Sequence, residues 1–253
     1  MFPTGIAIHP IPNGDIVLNS GVAPVTLFSR NGNFKHVIKG SPSKTDDIAI
    51  TPSNQYIIPG QTGTNEFHIY DSQGILISTT STFDINNQPS TPRSVTVDST
   101  GRIIAGLGWY GHKTVSIHQP DGTLISKYET TSSPRFITCM PDDKLVISFD
   151  DNTLQVMDQS GHNARLIMLI KPPPGIQSWQ PGYVCCSKQG ELFVGNWGSH
   201  NKAVYRYSRK GGKYTFLDCI TMMENIPGGI ALSADEQELF VVHYWAHLVK
   251  IFR

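Results

Sequence analysis

Apolar and polar residues alternate along most of the chain in short runs that are separated by turn residues. The stretch TPRSVTVDSTGRIIAGLGWYGHKTVSIHQPDGTLIS, residues 91–126, contains three such runs, and a similar stretch begins at Ser133. A two-residue period is typical of β-strands with one buried face. No window of the sequence has the spacing of apolar residues that an amphipathic helix requires, so the pattern predicts an all-β protein.

The same sequence unit occurs six times. Each copy opens with a turn and an apolar, small, apolar triplet: PTGIAI, TDDIAI, PRSVTV, PRFITC, PGYVCC and PGGIAL. Equivalent positions in these openings lie 42 to 47 residues apart: Gly5, Asp47, Ser94, Phe136, Tyr183 and Gly229. A second strand, a variable loop and a third strand follow in every copy. Five copies continue through a Gly-containing turn into a fourth strand.

Four short antiparallel strands repeated at this period are the signature of a β-propeller blade. The repeats therefore predict an all-β, six-bladed β-propeller formed by residues 1–253 as one domain. The sixth copy ends at Arg253 after its third strand, and the residues before Gly5 are too few for another full strand. We therefore expect four-stranded blades with an incomplete last blade, in a domain excised from a longer chain.

Composition and charge narrow the choice of partners. The 20 basic residues balance 20 acidic residues, so the overall charge does not indicate a nucleic-acid partner. No signal peptide and no run of membrane-spanning length is visible, which predicts a soluble protein without a membrane partner. The four cysteines lack the paired spacing of zinc ligands, and we expect buried free thiols, which favour a reducing compartment and a cytoplasmic location. A role for Cys185 and Cys186 beyond packing stays open.

The repeat resembles a known family. Its opening triplet, the following turn and strand, and phrases such as SVTVDSTGRIIAG, GIALSADEQELFV and LVKIF are similar to the NHL repeat. They resemble in particular the C-terminal propeller of the TRIM-NHL (tripartite motif) ubiquitin ligases of invertebrates. The resemblance covers the whole chain and implies a substrate-recognition domain. The RING, B-box and coiled-coil segments of those ligases are absent here, so any ligase activity would lie outside this sequence.

The loops between second and third strands, and those between successive blades, differ from copy to copy and should lie on one face of the disc. Binding residues concentrate in such loops. All four tryptophans fall there, accompanied by other aromatic, histidine and basic side chains, a composition typical of binding hot spots. The predicted partner-binding residues are Arg93, Trp109, Tyr110, Lys113, Arg135, Trp179, Trp197, His200, His243, Tyr244 and Trp245. Packing of these tryptophans between blades is the alternative interpretation.

Arg93 and Arg135 have the same register, each directly after the proline that opens its unit. Two guanidinium groups at the channel mouth would suit a carboxylate, a phosphate or an aromatic partner. Salt bridges to loop carboxylates are the equally supported alternative, and the loops offer Asp46, Asp47, Asp84, Asp150 and Asp151 for that purpose.

The innermost strands carry no set of His, Asp or Glu directed at the axis, so we expect no metal, no cofactor and no catalytic residue. The sequence and the resemblance together predict a non-catalytic, monomeric recognition module that binds a protein or peptide on its aromatic loop face. RNA binding on the same face is the alternative that the resemblance permits. A propeller hydrolase or lyase is the least favoured hypothesis, because the loop histidines lack the spacing of a metal motif.

Overall fold

Alternation of buried and exposed residues builds 23 strands in the computed structural model, which describes residues 3–8, 14–20, 23–43, 45–159, 164–243 and 248–253. The strands of the first three blades are β1 (Pro3–Ile8), β2 (Ile16–Ser20), β3 (Ala23–Phe28), β4 (Phe34–Val37), β5 (Ala49–Ile50), β6 (Tyr56–Pro59), β7 (Glu66–Tyr70), β8 (Leu76–Ser81), β9 (Ser94–Val97), β10 (Ile103–Leu107), β11 (Thr114–His118) and β12 (Leu124–Glu129).

The second half of the chain repeats this arrangement. Its strands are β13 (Pro134–Cys139), β14 (Leu145–Phe149), β15 (Leu154–Asp158), β16 (Arg165–Leu169), β17 (Pro181–Cys186), β18 (Leu192–Asn196), β19 (Ala203–Lys210), β20 (Lys213–Met222), β21 (Pro227–Leu232), β22 (Leu239–His243) and β23 (Leu248–Phe252). The single helical element among the described residues is a 3-10 turn at Trp109–Gly111.

Each sheet is an antiparallel meander in which strands follow one another in chain order. Five sheets have four strands and the sixth, β21 to β23, has three in the described part of the chain. The prediction of a six-bladed propeller with an incomplete last blade is thereby confirmed. The first strands of all six blades line an axial channel that encloses about 250 Å³.

The core lies between blades rather than within them. One apolar cluster joins Val146 and Leu154 of the fourth blade to Val184 and Tyr205 of the fifth. Comparable clusters fill the other interfaces, including the one between the sixth blade and the first, where Ile6 packs with Phe240. Because each blade is apolar on both faces, neighbouring blades bury what a single sheet would expose.

Ion pairs reinforce the closure of the ring. Arg30 of the first blade reaches Glu238 of the sixth at 2.9 Å and Asp235 at 3.2 Å. Arg253 also pairs with Glu238, at 2.8 Å. The side chain of Glu238 is mostly buried, so two guanidinium groups from opposite ends of the chain share one shielded carboxylate.

All four cysteines are free thiols. Cys139, Cys185 and Cys186 are partly buried, and burial raises the pKa of Cys139 and of Cys186 to about 12. Cys219 is exposed on β20, which corrects the expectation that all four are buried. None of the described helical residues forms a helix long and apolar enough to cross a membrane.

A candidate active site at the channel mouth

A pocket of about 290 Å³ opens where the axial channel meets the face that carries the variable loops. We call it the mouth pocket. Its walls come from several blades, and most of them are aromatic: Asp46, Arg93, Trp109, Phe136, Tyr183, Trp197 and Ile226. An apolar cavity with a few converging polar groups is the usual form of a small-molecule site.

Two stacked rings form the floor of the mouth pocket. Phe136 and Tyr183 hold the equivalent position in the first strands of the fourth and fifth blades, and their ring centroids are 3.6 Å apart. The same two residues also line the axial channel. The stacked pair therefore lies between the mouth pocket and the channel.

Trp197 forms one wall and is fixed from three sides. Its ring meets Phe136 edge to face, with centroids 5.4 Å apart. The indole Nε1–H donates to the main-chain oxygen of Pro227 at 2.8 Å. Gly182 leaves room for the indole, because a Cβ atom there would lie 2.3 Å from Nε1. Trp197 is thus a rigid part of the interface between the fifth and sixth blades.

Trp109 and Arg93 form the opposite wall. The guanidinium group of Arg93 lies over the Trp109 ring, 4.6 Å from its centroid. Arg93 Nη1 also donates to both carboxylate oxygens of Asp150, at 2.8 and 3.0 Å. Arg135 binds the same carboxylate through Nε at 3.0 Å and lies 5.4 Å from the centroid of the Trp197 ring. Each arginine therefore combines an aromatic contact with one shared anion.

Asp46 is the acidic group of the mouth pocket. Burial raises the pKa of its carboxyl group, and the positive charge of Arg93 partly opposes that rise. Its main-chain oxygen accepts a hydrogen bond from the Tyr183 hydroxyl. Asp46 belongs to the second blade and Tyr183 to the fifth, so this bond spans the mouth of the channel.

The neighbouring carboxylate, Asp47, faces the channel instead. It accepts hydrogen bonds from the Ser94 hydroxyl and from the main-chain N–H groups of Val95 and Ile48. Burial is the dominant influence and raises the pKa of Asp47 to about 7 in spite of these bonds. Its role in the described structure is to link the second and third blades.

The structure gathers only part of the predicted binding set. Arg93, Trp109 and Trp197 line the mouth pocket, and Arg135 lies beside it. Tyr110, Lys113 and His200 are exposed on the loops. Both arginines make the salt bridges to Asp150 that were the alternative interpretation.

Two predicted residues are packed between strands and do not line the mouth pocket. Trp179 lies against Tyr205 and Tyr207, at 6.3 and 6.4 Å between centroids, in the interface of the fourth and fifth blades. His243 is 5% exposed, and burial lowers its pKa. For Trp179 the structure shows the inter-blade packing that was the alternative interpretation. Tyr244 and Trp245 lie outside the described residues.

Sequence reasoning missed four residues of the mouth pocket: Asp46, Phe136, Tyr183 and Ile226. Phe136 and Tyr183 occupy a repeat position that is Gly, Asp or Ser in the other four copies, and this departure was the available signal. Asp46 was considered only as a salt-bridge acceptor. No group of three or more His, Cys, Asp or Glu side chains that could hold a metal ion occurs in the described part of the chain.

Comparisons with known proteins place the chain among β-propellers. No protein-family model and no curated protein matches the sequence. Among solved structures, virginiamycin B lyase from Staphylococcus aureus matches 99% of this chain and 84% of its own, with 16% identity and a TM-score of 0.70. A streptogramin B lyase matches with a TM-score of 0.68, 14% identity and coverage of 96% and 90%.

A gluconolactonase-like protein has a TM-score of 0.73 at 12% identity and covers 96% of this chain and 86% of its own. At such identities the likeness shows the fold alone. The resemblance to NHL-repeat propellers is confirmed only as far as the β-propeller, and nothing in the comparisons supports a TRIM-NHL ligase.

These neighbours also correct our functional prediction. The prediction of a non-catalytic recognition module was wrong in its class, because the propellers that match are named as lyases and as a gluconolactonase-like protein. The same neighbours contradict the expectation that this domain is not an enzyme. The sequence had favoured binding because the first strands show no metal set. It gave no weight to a single buried carboxyl group at the channel mouth.

Proposed function

We propose that the chain is an enzyme of the hydrolase or lyase type that cleaves a carbon–oxygen bond in a small molecule bound in the mouth pocket. The observation that carries this proposal is the half-buried carboxyl group of Asp46 in an aromatic cavity beside Arg93. Perturbed carboxyl groups in clefts are frequent acid–base catalysts. The names of the structural neighbours, lyases and a gluconolactonase-like protein, support the same class of reaction.

Asp46 would act as the general acid. Because burial favours the neutral carboxyl group, Asp46 retains its proton to a higher pH than an exposed aspartate. A neutral carboxylic acid can donate that proton to an oxygen leaving group as the carbon–oxygen bond breaks. When water opens a lactone, the water oxygen bonds to the carbonyl carbon and the ring carbon–oxygen bond breaks; Asp46 protonates the departing oxygen, and its carboxylate takes up the proton that the water loses. In an elimination, the departing carboxylate oxygen takes the Asp46 proton, and the ionised Asp46 takes up the proton lost from the adjacent carbon. The hydrogen bond from Tyr183 to the main chain of Asp46 fixes the residue that carries the acid.

The aromatic residues would bind the body of the substrate and exclude water. Trp109, Trp197 and the stacked pair Phe136 and Tyr183 present ring faces or edges around a volume suited to a small molecule. Removing water strengthens the electrostatic effect of Asp46 and Arg93 on the bound molecule.

Histidine is the competing choice for the acid. One neighbouring structure is a catalytically inactive His-to-Ala variant of the S. aureus lyase with quinupristin. Here no histidine lines the mouth pocket among the described residues. His243 is buried, and its Nε2 has no hydrogen-bond partner within the described structure. Among the described residues, Asp46 therefore remains the acid–base group that a ligand in the mouth pocket would meet.

Turnover of small lactones and aryl esters by the purified protein tests this proposal. We expect hydrolysis or elimination of at least one member of the panel, and a loss of about 100-fold or more in kcat for Asp46→Asn. Asp121→Asn is the matched control, because Asp121 is an exposed turn residue that accepts a hydrogen bond from Thr123 at 2.8 Å. No turnover of any panel member, or equal turnover by Asp46→Asn, contradicts the proposal.

A further inference from the structure

The charged groups around the mouth pocket are unequally placed. Arg93 lines the pocket, whereas its partner Asp150 lies on the solvent side with 40% of its side chain exposed. Arg135 binds the same Asp150 carboxylate, so two cations share one anion there. Asp151 also acts on Arg135, but it is exposed and accepts its own bonds from Thr153.

Several N–H donors of Arg93 have no protein acceptor among the described residues. A guanidinium group carries five N–H donors, and in the part of the chain that the structure describes only Nη1 of Arg93 has a protein acceptor. Its Nε is buried without a hydrogen-bond partner in the described structure. The Arg93 side chain is 14% exposed and stacks on Trp109, so its position is fixed before any ligand arrives. A preorganised, shielded arginine binds carboxylates more strongly than a mobile surface arginine does.

Asp46 is the acidic residue of the mouth pocket. In its neutral form it carries no charge to offset the positive charge of Arg93. A ligand anion beside Arg93 would offset the charge that favours ionised Asp46 and so help Asp46 to keep its proton. Anion binding and the acid role of Asp46 are therefore mutually supporting.

From this arrangement we infer that the substrate carries a carboxylate that binds Arg93, while an apolar body lies among Trp109, Trp197 and Phe136. The ligand class is a small amphipathic acid. The inference rests on the proposed function where it calls this ligand a substrate. Binding of the ligand to Arg93 requires no reaction. It assigns to Arg93 a specificity role that the salt bridge to Asp150 alone does not require.

Binding of 3-phenylpropionate and of its uncharged amide tests the inference without turnover. Calorimetric titration should show the acid binding about tenfold or more tightly than the amide, because a charge-assisted hydrogen bond is lost in the amide. Arg93→Gln should abolish this preference. Arg102→Gln is the control, since Arg102 forms an ion pair with Asp98 at 2.6 Å in the turn that joins β9 to β10.

A second variant keeps the test independent of a folding defect. Asp150→Asn removes the carboxylate that Arg93 and Arg135 share, so we expect the acid to bind several-fold more tightly. Equal affinity for acid and amide in the wild type, or an unchanged preference in Arg93→Gln, overturns the inference. If those results appear while Asp46→Asn still abolishes turnover, the proposed function stands and only the carboxylate assignment fails.

Discussion

The Tyr183 hydroxyl donates a hydrogen bond to the main-chain oxygen of Asp46 across the mouth of the channel. The two residues belong to opposite blades of the ring and are 137 positions apart in the chain. The Tyr183 ring simultaneously stacks on Phe136 of the adjacent blade. One side chain therefore couples the floor of the mouth pocket to the main chain of its acidic residue.

Tyr183→Phe isolates that coupling. The ring stack is retained while the hydrogen bond is lost, so we expect the free energy of unfolding to fall by only about 1 kcal/mol. Turnover should fall much more than stability, because Asp46 loses the bond that positions it. Urea unfolding and kcat, measured on the same preparation, provide the comparison. Unchanged kcat in Tyr183→Phe would show that the bond has no part in positioning Asp46.

The two tryptophans of the mouth pocket should respond differently to truncation. Trp197→Ala removes an indole that packs against Phe136 and Tyr183 and binds Pro227, so we expect a loss of about 3 kcal/mol in the free energy of unfolding. Trp109 sits on a loop over Arg93, outside the apolar clusters of the described core. Trp109→Ala should weaken ligand binding with little effect on the melting temperature. Equal destabilisation by both substitutions would place Trp109 in the packed structure as well.

Because of the buried carboxyl group of Asp47, we expect the free energy of unfolding to depend on pH. Its pKa rises from an ordinary value of 3.8 to about 7 in the folded protein, so the folded state holds the proton more tightly than the unfolded state. The contribution of protonated Asp47 to the free energy of unfolding is fully present below about pH 4. It decreases as the pH rises to about 7, and above that pH the free energy of unfolding no longer changes because of Asp47. Asp47→Asn removes the titration.

Unfolding free energies of the wild type and of Asp47→Asn, measured from pH 4 to pH 8, isolate the effect from other titrating groups. The difference should shift in favour of the variant by an amount on the order of 3 kcal/mol between pH 4 and pH 7. A difference that does not vary with pH would mean that the Asp47 carboxyl group titrates normally in the folded state.

The sequence predicts the fold well because the repeat is enforced by packing. Each copy must present two apolar faces to its neighbours, so alternation and turn residues recur even where sequence identity does not. Ile57 and Ile58 illustrate this: adjacent in β6, they are both fully buried, in clusters on opposite faces of the blade. The incomplete sixth blade follows from counting the same pattern to Arg253.

The mouth pocket could be predicted only in part. Its loop residues Trp109 and Trp197 stand out by residue type, but the packing of Trp179 in the interface of the fourth and fifth blades does not follow from its loop. In the sequence, Phe136 and Tyr183 look like ordinary strand residues. The closed arrangement of the six blades brings them to the axis. The mouth pocket places Asp46 beside residues that are distant from it in the chain, information that no local pattern contains.

The pH dependence of kcat/KM for the wild type and for Arg93→Gln tests the central claim most directly. If Asp46 is the general acid, kcat/KM falls as the pH rises through its pKa in the free protein. Removing the Arg93 charge leaves burial unopposed and raises that pKa, so the fall should move to higher pH in Arg93→Gln, and Asp46→Asn should lack it. An identical pH dependence in all three proteins would contradict the assignment of the mouth pocket as the active site.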